Sequence, residues 1–160
     1  MTVLVTPVGT SLFTNYLDEN PGSPIFKQNY DTIKKCPATE WDNDYDTEIN
    51  GLSCDTLAFI ENSGVEASAE LQSIAKIRDE LEDNKIEVQL LASDTIASQL
   101  AAEILKEKSE VLGNQVSVEF DSSNDVIKGL QVEDPEAFSG EGMTKLIQRI
   151  IVKSKNMFTF

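Results

Sequence analysis

The sequence predicts one α/β domain of Rossmann-like type, with a parallel-dominated sheet flanked by helices. Three observations lead there. The chain has 160 residues, the length of one ordinary domain. Short runs rich in β-branched residues, at 3–6, 86–92 and 115–120, alternate with stretches whose apolar residues fall at helical spacing. The resulting alternation of strands with helical stretches builds parallel sheets covered by helices.

Each element has its own signal. Residues 3–6, VLVT, suit a fully buried parallel strand that ends near Pro7 and Gly9. Thr10 or Ser11 can cap a helix carrying Leu12, Phe13, Tyr16 and Leu17. NPGSP at 20–24 stops it. Ser23 and Pro24 then open a second helix with Ile25, Phe26, Tyr30 and Ile33 on one face. Residues 37–56 carry six acids around Trp41 and Tyr45 and read as a solvated acidic loop or frayed helix. Their spacing is not that of a calcium-binding EF-hand loop. A helix follows at 67–83, then a strand at 86–92, the turn SDT and a helix at 96–109. Gly113 and Asn114 turn the chain into a strand at 115–120, in which Val116, Val118 and Phe120 alternate. An amphipathic helix at 141–155 closes the pattern.

Composition narrows the function. A net charge of −15, from 28 acids and 13 bases, argues against a surface that tracks long DNA or RNA. It leaves room for a small phosphorylated ligand, which backbone N–H groups at helix starts can hold without formal charge. No histidine is present, which removes the commonest general base. Cys36 and Cys54 stand far apart in sequence, form no CxxC pair and read as reduced cytosolic thiols. No structural metal site and no cofactor are called for. The N-terminus lacks the basic start of a signal peptide, and no apolar run approaches a membrane span, so a cytoplasmic location is expected.

Two strand-to-helix turns carry the candidate chemistry. The first, TPVGTSL at 6–12, offers Val8, Gly9, Thr10 and Ser11. The second, ASDTIAS at 92–98, offers Ser93, Asp94 and Thr95. In open α/β sheets ligands bind outside the carboxyl ends of the strands. Neither turn is a GxGxxG or P-loop fingerprint, and ordinary helix capping accounts for either alone.

Taken with LLASDTIASQLAAEIL at 90–105 and VIKGLQVEDPEAFSGEGMTKLI at 126–147, the first turn resembles the CRISPR-associated Rossmann fold, or CARF, family. The likeness is to the branch of ring nucleases and of the sensor halves of type III CRISPR ancillary effectors. The GLQVEDPEAF block is its most specific part, and residues 18–66 carry no match. The resemblance implies a homodimer that binds cyclic oligoadenylate, as tetra- or hexa-adenylate, across its two-fold axis in antiviral defence. Each protomer would supply the two turns, with Lys128, Gly129, Leu130 and Gln131 bordering the site and Lys145 at its rim. Residues 1–155 would form this domain. Residues 156–160 would begin a linker or a further domain. The alternative is a ring nuclease that opens cyclic tetra-adenylate without metal, by attack of a ribose 2′-hydroxyl, with Thr10 and Ser11 as the catalytic pair. Some family ring nucleases carry a lysine near the second turn. SDTIASQ has neither lysine nor arginine.

Overall fold

The computed structural model describes residues 1–20, 30–41, 43–81 and 85–128. It is an α/β structure built on an open parallel sheet. Strand β1 (Thr2–Val8) leads into helix α1 (Ser11–Glu19). Helix α2 (Asp46–Ser63) and helix α3 (Ala69–Glu80) precede strand β2 (Ile86–Ser93). Helix α4 (Ile96–Glu107) then leads to β3 (Val116–Glu119) and the short β4 (Val126–Ile127). The Rossmann-like class expected from the sequence is the one observed.

Strand β2 is the centre. It pairs in parallel with β1 along its whole length, from Thr2 opposite Ile86 to Val8 opposite Ala92. On its other side it pairs with β3 through residues 86–89 and with β4 through Ala92 and Ser93. Strands β3 and β4 therefore follow each other along one flank of β2, broken by the turn at 121–125. Seven of the eight β2 residues are buried, the near-continuous burial of a central parallel strand. The first strand departs from its expectation of full burial. Residues 3–6 are half-buried because β1 has β2 as its one partner among the described residues. An edge position also accommodates Pro7, which has no N–H to give to a ladder.

Helix α4 packs across β1, β2 and β3, while α1 packs on α2 and α3. Phe13, Ile60, Leu71, Leu90 and Ile104, all buried, bring these layers into one core. Residues 30–33 are helical and add Tyr30 and Ile33 to it. The start of that second helix and the helix expected at 141–155 lie outside the described residues. Two glycines end helical segments with positive φ, where a side chain would be strained: Gly64 after α2 (φ 62°) and Gly113 before β3 (φ 90°).

The acidic stretch holds more order than its composition suggests. An 18-residue helix, α2, begins at Asp46, inside the segment read as loop or frayed helix. Leu52, Thr56, Phe59 and Ile60 form its buried stripe, and Asp46 and Glu48 stand in its first turn, where the helix dipole favours acids. No helix among the described residues is long and apolar enough to cross a membrane.

Candidate functional site at the carboxyl edge of the sheet

The strand register brings three predicted segments to one edge. Val8 lies opposite Ala92, so the turns that follow β1 and β2 leave the sheet side by side. Ser93 lies opposite Ile127, so Lys128, exposed just after β4, leaves the same edge.

The two turns are also bonded together. Buried Ser98, in the first turn of α4, donates its hydroxyl to the Val8 carbonyl at 2.8 Å. The same hydroxyl accepts the Ser93 N–H at 3.0 Å. Thr95 caps α4 through Oγ1, which accepts the Ser98 N–H at 3.3 Å. The Ser93 and Thr95 hydroxyls lie 2.9 Å apart and share a hydrogen bond. Both are buried, so their first role is to build the turn.

The segment at 36–38 covers this second turn. Ala38 N–H donates to the Asp94 carbonyl at 2.8 Å, and Ile96 N–H donates to the Cys36 carbonyl at 3.1 Å. Pro37 forms an antiparallel bridge with Thr95. Asp94 itself is half-buried. Trp41 and Tyr45 follow at a ring separation of 6.0 Å, and the Trp41 indole N–H donates to Asp46 at 2.7 Å. The stretch beginning at residue 37 thus starts at the candidate site.

The first turn is organised by a residue that the sequence did not point to. Gly9 N–H donates to Oε1 of Glu70 at 2.9 Å, and the Ser11 hydroxyl donates to Oε2 of the same carboxylate at 2.7 Å. Ser11 Oγ in turn accepts the N–H of Ala69 at 3.0 Å. Glu70 is in the first turn of α3, which Ser68 caps by accepting the Leu71 N–H. Thr10 sits at the N-cap position of α1, buried, without bonding an N–H of that helix through its side chain. The Tyr30 hydroxyl donates to its carbonyl at 3.3 Å.

Gly9, Thr10, Ser11, Ser93, Asp94, Thr95 and Lys128 therefore share one edge, with Val8 as the pivot. Gly129, Leu130, Gln131 and Lys145 lie outside the described residues. A family model described as CRISPR-associated protein (Cas_APE2256) matches residues 65–158. The chain belongs to this CRISPR-associated family. No curated protein matches it. The segment that matches the CRISPR-associated family contains Glu70, the second turn and Lys128. The first turn precedes it.

Two features of this CRISPR-associated chain stand apart from the edge. A cleft of about 500 Å³ is lined by Glu103, Lys106, Glu107, Phe120, Asp121 and Ser122, none of them in the three edge segments. Its lysine already donates to the Phe120 carbonyl at 3.1 Å. Beside it, Asp121 shapes the turn between β3 and β4. The Ser123 N–H and then the Asn124 amide hold its carboxyl below the usual carboxylate range. Both features serve the sheet's flank, and neither gathers donors for an anion. Among the described residues no three histidine, cysteine or acidic side chains converge as a metal site.

Proposed function

We propose that this chain is a CARF-type domain that binds cyclic oligoadenylate across a homodimer two-fold, as the sensor of a type III CRISPR ancillary effector. The observation that carries the reading is the register of β2, which sets the Gly9–Ser11 turn, the Ser93–Thr95 turn and Lys128 on one carboxyl edge. That edge is where open α/β sheets take ligands. The CRISPR-associated family to which the chain belongs supplies the context.

The chemistry of the edge suits a small phosphorylated ring better than a long nucleic acid. Its groups are backbone N–H donors and hydroxyls on short side chains, with Lys128 beside them and the carboxylates of Asp94 and Glu70 among them, on a chain of net charge −15. A ring of two-fold symmetry is matched by two copies of the same edge facing each other. A closed ring also loses less conformational entropy on binding than a linear chain.

Calorimetric titration tests this. Cyclic tetra-adenylate or cyclic hexa-adenylate is expected to bind far more tightly than linear oligoadenylate or ATP. Equal affinity for ring and linear ligand, or no heat with either ring, would overturn the proposal.

A further inference from the structure

We infer that Glu70 is a built-in stand-in for a ligand oxyanion at the first turn, and that binding of the ring displaces it. This rests on the function proposed above and adds a residue that neither the sequence pattern nor the family match assigns.

The geometry is that of a held anion. Both carboxylate oxygens of Glu70 face the turn, one on Gly9 N–H at 2.9 Å and one on the Ser11 hydroxyl at 2.7 Å. The Ser11 oxygen already accepts the Ala69 N–H, so its own proton is committed to the carboxylate. The two donors that a phosphate oxygen would need are thus in use. A phosphate within hydrogen-bond reach of Gly9 N–H would stand in contact with the Glu70 carboxylate, and the two anions exclude each other.

No ion pair among the described residues has to break for Glu70 to leave. It is half-buried. The fold itself does not require glycine at position 9. The φ of Gly9 is not positive, so no backbone strain calls for glycine. A Cβ built at position 9 would meet Glu70 Oε1 at 3.6 Å, an ordinary contact. The internal carboxylate would tolerate alanine there, whereas the bare Cα leaves the approach open to a bulkier group.

A competitor that must be displaced lowers apparent affinity by the fraction of molecules in which the turn is free. Removing it returns that fraction. Glu70→Ala is expected to bind cyclic tetra-adenylate on the order of tenfold more tightly than the parent chain. Glu70→Gln keeps one acceptor without the charge and is expected to fall between them. A purely structural role gives the opposite sign, because loosening the turn would weaken binding.

The experiment is a titration of the full chain and both variants with labelled cyclic tetra-adenylate, with the Gly9 amide followed by NMR. Thermal melts accompany it, and Glu70→Gln, nearly isosteric, carries the comparison if Glu70→Ala fails to fold. Tighter binding in the order Ala, Gln, Glu, together with a shifted Gly9 amide on binding to the parent, supports the inference. Equal or weaker binding by the variants, while the parent binds, overturns it and leaves the sensor reading standing. No binding by any of the three overturns both.

Discussion

The hydroxyl of Ser98 donates to the carbonyl of Val8 across 90 residues of chain and directly bonds helix α4 to the end of strand β1. Because it also accepts the Ser93 N–H, one side chain satisfies two buried backbone groups from different strands. Ser98→Ala would leave both unpaired, at a cost of roughly 1–3 kcal/mol for each buried group. Denaturant melts should show that loss. A variant as stable as the parent would mean that the two turns are held together by packing alone.

Assembly is open to a direct check. The chain has a mass of 17.7 kDa, and light scattering is expected to give about twice that value, with and without ring. A monomer at tens of micromolar in the presence of ligand would remove the shared-site arrangement.

Ring opening, if it accompanies binding, is expected to proceed in EDTA. In this route the ribose 2′-oxygen bonds to the adjacent phosphorus as the bond to the 5′-oxygen breaks. The hydroxyl proton ends on that leaving oxygen, and the product carries a 2′,3′-cyclic phosphate. Donors at Thr10 and Ser11 would steady the charge on the non-bridging phosphate oxygens, so Ser11→Ala should slow the step roughly 10²–10³-fold while binding weakens far less. Separation of labelled products decides it: cleavage abolished by EDTA, or unaffected by Ser11→Ala and Thr10→Ala, would show a different mechanism.

The turn between β3 and β4 should respond to acid. A carboxyl whose pKa is lowered in the folded chain, as at Asp121, stabilises that state above its unfolded pKa. The contribution is lost as pH falls through the lower folded value. NMR titration should place the Asp121 midpoint below that of an exposed aspartate, and the Ser123 amide should lose protection, relative to its intrinsic exchange rate, once that midpoint is passed. An ordinary midpoint would show that the two hydrogen bonds do not persist in solution.

Much of this architecture can be read from sequence, and the failures have physical causes. Helix α3, expected at 67–83, spans Ala69–Glu80, and β2, expected at 86–92, spans Ile86–Ser93. Both carry strong periodicity or continuous apolar runs. Helix α2 was hidden because its acids dominate its first turn, although Leu52, Thr56, Phe59 and Ile60 already lie at helical spacing. The two residues of β4 are too short for any period to register.

The candidate edge was legible only in part. Composition and the position of turns after strands mark Gly9–Ser11 and Ser93–Thr95. Glu70 reaches Gly9 across 61 residues, and no local pattern encodes such a contact. Ser98 left a fainter trace: a hydroxyl three residues after an N-cap threonine, on the inner side of a helix start.

The pairing of Thr2 with Ile86 also has a meaning in time. As the chain leaves the ribosome, β1 emerges without a partner and waits for a strand made much later. At about 5–20 residues per second, the 90 residues between Val8 and Ser98 take roughly 5–18 s to synthesise. Throughout that interval the Val-Leu-Val-Thr segment has no β2 to pair with, and an unpaired strand edge is an aggregation hazard that a chaperone could shield. Nascent chains halted before residue 86 should therefore be protease-sensitive in β1, and chains released after full synthesis should not.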